Sequence, residues 1–312
     1  MARSQIKLIG FPGTGLLPLF VGSDMGFFGK RDIELQLERT PSSMYQAQKL
    51  VAGEFDIGCS AVDNFIAYQE GAGEVELDKK PDLFVFMGST RIELSFVVAK
   101  GISSYEDLKG KTLALDALAT GFAFALYRML DESGLISEDY EMVSVGATPD
   151  RWETVKNGQH AGTLLIEPFT GQARAEGYTI LGSSLETFNH YPGQMFGAMR
   201  GWATKNRDLM VRFILGYLDA LDWTLERKNL PQTVEVLKNN MPQIPASGLI
   251  PAVEKLLIPE TGLVPEGKID MEGLKTILEL RSQYAPQGKQ LTDAKKYLDL
   301  SFYKQALARR EM

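Results

Sequence analysis

The sequence predicts an α/β protein with two lobes and a helical C-terminal segment. Between residues 5 and 199, a short β-type run, a loop of small residues and a helix follow one another several times. The chain has 312 residues, more than one compact core usually organises, so two lobes are expected. From Lys205 onward apolar residues recur at helical spacing, and residues 250–312 show no further strand pattern.

The opening unit sets the pattern. Gln5–Ile9 is a predicted strand, and the loop FPGTG at 11–15 ends it because two glycines and a proline interrupt a β-ladder. A helix is predicted over Leu16–Met25, and Ile33–Glu38 alternates like a half-buried strand. Loops between a strand's carboxyl end and a helix's amino end bind ligands in open α/β sheets, and free N–H groups there favour anions. Thr14 and Gly15 therefore either border a ligand cleft or belong to a loop that is only a tight connection.

Two non-helical stretches divide the chain. Residues 88–93 follow a continuous apolar run, Leu83–Met87, which is typical of a strand buried on both faces. Residues 190–195 lead into another strand, Met195–Met199. We interpret both stretches as crossings between lobes. The resulting limits are 1–90 and 195–312 for lobe one, and 91–194 for lobe two.

Further elements continue the pattern within each lobe. In lobe one we predict a helix, a small-residue loop and a second helix at Tyr45–Ala52, Cys59–Asn64 and Asn64–Glu70. In lobe two, strands are predicted at Leu94–Ala99, Lys111–Leu115, Met142–Val145, Ala161–Ile166 and Tyr178–Leu181. Helices are predicted at Phe122–Leu130, Trp152–Asn157, Asp208–Arg227 and Leu230–Asn239.

Composition excludes several classes of function. A net charge of −7 argues against a nucleic-acid partner, and no apolar run approaches the roughly 20 residues that span a bilayer. The chain has one cysteine, Cys59, and two histidines, so we expect no disulfide within the chain and no metal site; we also expect no cofactor. The N-terminus lacks the apolar core of a signal peptide. We expect the protein to be periplasmic if a signal peptide was removed, and cytoplasmic if the chain is complete as given.

Four segments carry a family resemblance in combination. They read PLFVGSDMGFFGKRDIELQLE (Pro18–Glu38), QKLVAGEFDIG (Gln48–Gly58), SSYEDLKGKTLAL (Ser103–Leu115) and GAMRGWATKNRDLMVRFILGYLDALDW (Gly197–Trp223). In this order they resemble the substrate-binding proteins of the sulfonate, nitrate and taurine transport group, which includes thiamine-pyrimidine-precursor binders. The resemblance covers residues 5–240. It implies a type II periplasmic-binding fold that closes around a small anionic organic ligand (sulfonate, carboxylate or heterocycle), with an ABC permease as partner.

The same resemblance implies ligand contacts from loops that face the cleft. The corresponding positions are Gly13, Thr14, Gly15, Ser42, Ser43, Cys59, Ser60, Asp63, Thr120, Gly121, Glu167, His190 and Tyr191. Hydroxyls and free N–H groups suit an oxyanion, and Arg91 could add a bidentate contact. The competing interpretations are helix caps at Ser42 and Ser43, an ion pair of Arg91 with Glu93, and a polar strand end at Glu167.

Two further readings stay open. Enzymes on this fold, a desulfinase and decarboxylases among them, suggest catalysis by Cys59, His190 and Arg91 if these three converge; an inert buried thiol is the alternative for Cys59. A cytoplasmic ligand sensor is the third reading, although no DNA-binding segment is evident. If two or three of the side chains Phe11, Phe122 and Phe169 face the cleft, the ligand is expected to be aromatic.

Overall fold

The computed structural model describes residues 3–311, whose strands form two five-stranded mixed sheets. The strands are β1 (Ser4–Gly10), β2 (Ile33–Arg39), β3 (Ile57–Ala61), β4 (Leu83–Gly88), β5 (Ser95–Val98), β6 (Lys111–Leu115), β7 (Tyr140–Ser144), β8 (Gly162–Leu165), β9 (Thr179–Ser183) and β10 (Gln194–Met199). The helices are α1 (Leu17–Asp24), α2 (Ser43–Ala52), α3 (Val62–Gln69), α4 (Gly121–Glu132), α5 (Thr148–Lys156), α6 (Phe169–Ala175), α7 (Ser184–Thr187), α8 (Arg200–Lys205), α9 (Arg207–Leu225), α10 (Leu230–Asn240), α11 (Ala246–Leu256), α12 (Met271–Tyr284) and α13 (Ser301–Arg310).

The two sheets have matching topology. The first has the order β2-β1-β3-β10-β4, and the second has the order β7-β6-β8-β5-β9. In each sheet the first three strands are parallel, and the fourth, β10 or β5, runs antiparallel to both of its neighbours. The predicted fold is confirmed: two α/β lobes are joined by two crossings, and the C-terminal segment is helical.

The chain leaves the first sheet after Gly88 and returns to it at Gln194. The two crossings are hydrogen-bonded to each other, because the N–H groups of Ser89 and Thr90 both donate to the Gln194 carbonyl oxygen at 3.0 and 3.1 Å. Gly193 N–H donates to Thr90 O at 3.0 Å. The strands of each sheet fall within the lobe limits 1–90 with 195–312 and 91–194, apart from Gln194, the first residue of β10, and we keep these limits as our proposal for the domain boundaries.

The core of the first lobe forms around β4, all six residues of which are buried. Phe86 on this strand packs against Phe196 of β10 and Phe213 of α9, with ring centroids 6.1 and 6.4 Å apart. Aromatic pairs at such separations stabilise a core beyond the area that they bury. This packing places the long helix α9 against the sheet of lobe one, as its apolar stripe predicts. Among residues 3–311 no helix is both long and apolar enough to span a membrane.

The sequence-based prediction of a loop at Cys59–Asn64 is wrong. β3 continues to Ala61, and α3 begins at Val62 without an intervening loop. The small residues serve close packing instead, because a Cβ atom on Gly58 would lie 2.6 Å from the Leu50 side chain. The short helices α6 and α7 are also not predicted from the sequence, because helices of 7 and 4 residues show little hydrophobic periodicity.

Helix α12 is anchored to lobe one by a buried ion pair and also contacts lobe two. It packs against α3 of lobe one and α4 of lobe two. Arg281 Nε and Nη2 donate to the two carboxylate oxygens of Asp63, each at 2.6 Å, and Nη2 also donates to Ala119 O at 2.8 Å. Both side chains are almost fully buried, and the guanidinium carbon lies 5.0 Å from the centroid of the Phe124 ring. The C-terminal segment therefore adds a third contact between the lobes.

We predict that Arg281→Met lowers the free energy of unfolding by about 3–5 kcal/mol, because it leaves the Asp63 carboxylate buried without a partner. Urea unfolding followed by circular dichroism measures the change. Lys275→Met is the matched control on the same helix, since the Lys275–Glu272 pair (2.8 Å) is exposed and worth at most about 1 kcal/mol. Equal effects of the two substitutions would contradict the importance given to the buried pair.

Candidate ligand site between the lobes

Two adjoining cavities lie between the sheets, and both are lined by the crossing residues Ile92 and Gln194 and by Ile166 after β8. We call the first the aromatic compartment. Its other lining residues are Phe11, Ala61, Asn64, Asp116, Thr120, Phe122, Thr148 and Arg151. We call the second the polar compartment. Its other lining residues are Gly13, Thr14, Gly15, Thr90, Arg91, Glu93, Ser95, Glu167, Thr170, Lys255, Leu256 and Thr261.

Two phenylalanines give the aromatic compartment its character. Phe11 follows β1 in lobe one, and Phe122 lies in the first turn of α4 in lobe two. Phe169, the third candidate ring, packs instead in a separate core cluster with Trp152 and Val155. With aliphatic Ile92 and Ile166 nearby, the compartment offers apolar contacts from both lobes, as ligand sites for flat apolar groups commonly do.

A carboxylate and a guanidinium lie at one side of this compartment. Burial raises the pKa of Asp116, which accepts the Ser43 N–H on both oxygens at 3.2 and 3.1 Å. Burial lowers the pKa of Arg151 to about 10, and the guanidinium donates to Gly146 O (2.7 Å), Thr163 Oγ1 (3.0 Å), Thr148 Oγ1 (3.2 Å) and Leu164 O (3.1 Å). Protein groups therefore hold Arg151 in place, and its charge offsets that of Asp116.

The lobes contact each other on both sides of the cavities. Ala147 N–H of lobe two donates to Pro41 O of lobe one at 2.9 Å, beside the Ser43–Asp116 contact. Thr14 N–H donates to Glu167 O at 3.5 Å. Because these bonds join loops at strand ends of opposite lobes, the cleft is closed in this conformation.

The polar compartment contains charges of both signs. Lys255 Nζ of α11 lies 2.5 Å from Glu93 Oε2, and Glu93 Oε1 accepts from Ser183 Oγ at 3.1 Å. Burial raises the pKa of Glu167, whose Oε2 accepts the Gly171 N–H at 3.2 Å. Arg91 Nη1 donates to Pro259 O at 2.8 Å, so the predicted alternative pair with Glu93 is taken by Lys255. Two acidic and two basic side chains thus line this compartment.

Six of the predicted polar and glycine contacts line the cavities, in addition to Phe11 and Phe122. The loop residues Gly13, Thr14 and Gly15 line the polar compartment together with Arg91 and Glu167, and Thr120 lines the aromatic one. Gly15 packs closely against the crossings, because a Cβ atom there would lie 2.8 Å from Gln194 Oε1 and 3.0 Å from Thr90 Cγ2. A close approach of the β1–α1 loop to the second crossing therefore shapes this side of the site.

The predicted serines make structural contacts, two of them within lobe one and one with lobe two. Ser42 caps α2, and its Oγ accepts the Tyr45 N–H at 3.1 Å. Ser43 contacts Asp116 through its backbone, while Ser60 Oγ accepts from Asn64 Nδ2 at 2.8 Å. These serines lie outside the lining of both compartments. Ser60 belongs to strand β3 rather than to the expected loop, and its side chain is fully buried.

Three further predicted residues also lie outside the lining. They are Asp63, Gly121 and Tyr191. The Asp63 carboxylate accepts hydrogen bonds from Arg281, and Tyr191 Oη donates to Gly121 O at 3.1 Å. Each of these groups thus has a protein partner that sequence spacing does not reveal. Residues that the sequence prediction missed are Asn64, Thr90, Ser95, Asp116, Thr148, Arg151, Thr170, Gln194, Lys255 and Thr261.

The predicted catalytic alternative does not assemble. Cys59 is fully buried in the core of lobe one, and burial raises the pKa of its thiol. His190 is exposed, with Nδ1 3.7 Å from Asp270 Oδ2, and only Arg91 of the three lines a compartment. Within residues 3–311 no group of three or more His, Cys, Asp or Glu side chains is placed to hold a metal ion.

The comparisons with known proteins agree with this architecture. Residues 2–238 match the model of the NMT1-like family, so the chain belongs to that family. A search of curated proteins finds no significant match. The periplasmic nitrate-binding protein NrtA from Synechocystis PCC 6803 superposes with a TM-score of 0.79 at 14% identity, covering 99% of this chain and 89% of NrtA.

Two sulfonate-binding proteins are also similar in structure. The periplasmic aliphatic sulphonate binding protein SsuA from Escherichia coli has a TM-score of 0.67 at 18% identity, covering 95% of this chain and 92% of SsuA. The alkanesulfonate-binding protein SsuA from Xanthomonas axonopodis pv. citri, bound to MOPS, has a TM-score of 0.71 at 14% identity, with coverages of 98% and 99%. These likenesses show the periplasmic-binding fold.

We predict that Cys59 does not react with Ellman's reagent at mildly alkaline pH in the folded protein, because a buried thiol with a raised pKa stays protonated and inaccessible. Since the chain has one cysteine, absorbance of the released thionitrobenzoate reports this site alone. The same sample in guanidinium chloride is the control and releases one equivalent. Rapid reaction of the folded protein would restore the nucleophile hypothesis.

Proposed function

We propose that this chain is a solute-binding protein that closes around a small organic ligand carrying a flat ring. The single observation that carries the proposal is the interlobe aromatic compartment, to which Phe11 contributes from lobe one and Phe122 from lobe two. A ligand that contacts both lobes stabilises the closed arrangement relative to an open one. The similarity in fold to nitrate- and sulfonate-binding proteins supports the same role.

The charges around the cleft narrow the range of ligands. The family resemblance leaves sulfonates, carboxylates and heterocycles as ligand classes. A simple oxyanion is expected to bind where unpaired cationic side chains converge. Here Lys255 pairs with Glu93, Arg91 Nη1 donates to Pro259 O, and Arg151 is held by four protein oxygens and interacts electrostatically with Asp116. We therefore favour an uncharged aromatic heterocycle, whose ring fits the aromatic compartment and whose polar substituents reach the hydroxyl groups nearby.

Hinge closure is the proposed mechanism. The two crossings are held together by hydrogen bonds between residues 89–90 and 193–194, so they form a continuous joint on one side of the cleft. Rotation about such a joint opens and closes a cleft without rearranging either lobe. We further propose delivery of the ligand to an ABC-type permease, by analogy with the solute-binding proteins of similar fold.

Phe122→Leu tests the role of the ring. We predict that it weakens binding of an aromatic ligand about three- to tenfold, the range expected for the loss of one aromatic contact. Thermal unfolding with sulfonates, aromatic carboxylates, sulfinates and pyrimidines first identifies a ligand, since binding at about 100 times Kd adds about 2.7 kcal/mol to native stability. Isothermal titration calorimetry with the best compound then gives the affinities.

Phe27→Leu is the matched control, because Phe27 is also half-buried but packs on Trp223 of α9, with ring centroids 6.4 Å apart, away from both compartments. Unchanged affinity in this control with a loss in Phe122→Leu supports the site. A panel in which aromatic compounds never stabilise the protein, or in which both variants bind equally well, would contradict the proposed function.

A further inference from the structure

Three buried hydroxyl groups in the polar compartment have no hydrogen-bond partner within the described chain: Ser95 Oγ, Thr170 Oγ1 and Thr261 Oγ1. Their residues are 0%, 2% and 8% exposed. They come from β5, from α6 and from the segment after α11, which are three separate parts of the fold. Buried polar groups are almost always paired in native proteins, so this convergence points to a group that binds there.

The chemistry of the compartment defines that group. Each hydroxyl can both donate and accept a hydrogen bond. Glu167 adds a carboxylate with acceptor capacity beyond its one bond to Gly171 N–H. Glu93 and Lys255 satisfy each other, Arg91 Nη1 donates to Pro259 O, and the two acidic and two basic side chains of the lining are equal in number. A short uncharged substituent that donates and accepts, such as a hydroxymethyl or amino group on a ring, fits these partners.

The C-terminal segment builds one wall of the compartment. Lys255, Leu256 and Thr261 lie beyond residue 238, where the match to the family ends. This wall is fixed to the first crossing: Arg91 N–H donates to Gly262 O at 2.8 Å, and Val264 N–H donates to Ser89 O at 3.0 Å. The wall is thus held to the joint between the lobes while it lies outside the part shared with the family.

We propose that the polar compartment is a second subsite of the cleft that binds a hydroxyl or amino substituent of the ring-bearing ligand, with Thr261 of the C-terminal wall determining this preference. The inference rests on the proposed function, because the ring must occupy the neighbouring aromatic compartment. The two compartments share Ile92, Ile166 and Gln194, so one molecule can extend from one to the other. Selectivity then depends partly on residues outside the family match.

The probes are nicotinyl alcohol and β-picoline, which have the same ring and differ by one hydroxyl. Affinities are measured by ligand-observed NMR titration of the full chain. We expect the wild-type protein to bind nicotinyl alcohol about fivefold more tightly, the effect of one hydrogen bond. Thr261→Val should reduce this preference to less than about twofold, because it removes the hydroxyl while keeping the shape of the side chain.

Thr224→Val is the matched control, since Thr224 is also buried but its Oγ1 donates to Ala220 O within α9. It should keep the preference of the wild type. Thermal unfolding without ligand separates binding from structure: Thr261→Val should retain the wild-type melting temperature, because no internal bond is lost. Thr170→Val serves as a second variant with the same expectation if Thr261→Val does not fold.

The outcomes separate the two levels of the proposal. If wild-type protein binds both probes with equal affinity, or if Thr261→Val and Thr170→Val both keep the preference, the subsite is refuted and the ring-binding cleft stands. A fall in melting temperature with an unchanged preference would assign these threonines a structural role and also refute the subsite. If neither probe binds, the ring-binding function and the subsite that rests on it are both overturned.

Discussion

The ion pair between Asp63 and Arg281 is the interaction on which the closed arrangement of this protein depends. Its partners are 218 residues apart in sequence, and both are buried where α12 meets α3 and α4. Removing two charges from water is costly unless hydrogen bonds compensate. Here two bonds join the charges and a third reaches Ala119 O of lobe two, while Arg281 Nη1 has no partner among the described residues. The C-terminal helix therefore sets how the lobes meet, and the position of Thr120 in the cleft follows from it.

The cleft combines this third contact with a joint made by the two crossings. The crossings hold one side of the lobes together, α12 holds lobe two near α3, and loop contacts such as Ala147 N–H to Pro41 O complete the enclosure. A ligand in the aromatic compartment would touch both lobes and add to these contacts. Glu93 pairs with Lys255, and Asp116 interacts electrostatically with Arg151; on these charges of opposite sign we base the proposal of an uncharged ligand. Under that proposal the rings and hydroxyls of the cleft select the ligand.

The sequence predicts the fold well and the site in part. Strong periodicity places the buried strand β4 and the long helix α9, and the loop after β1 reaches the polar compartment as its glycines indicate. The prediction fails at Cys59 and Ser60, because small residues mark close packing in a strand as often as a turn. Asp63 lies outside both compartments and pairs with Arg281, a partner that nothing in the local sequence reveals. Lys255 and Thr261 carry no signal at all, because only the tertiary fold brings α11 to the first crossing.

The central claim is that this chain closes around an organic ligand, and the distance between the lobes tests it most directly. Cysteines introduced by Met25→Cys in lobe one and Ile136→Cys in lobe two are at exposed positions, whereas native Cys59 is buried and stays unlabelled. Double electron–electron resonance between spin labels then gives the distance distribution with and without the best aromatic compound from the panel. The account predicts a shift toward one narrow, shorter distance on binding, with the compound recovered unchanged. An identical distribution with bound compound, or chemical conversion of that compound, would contradict it.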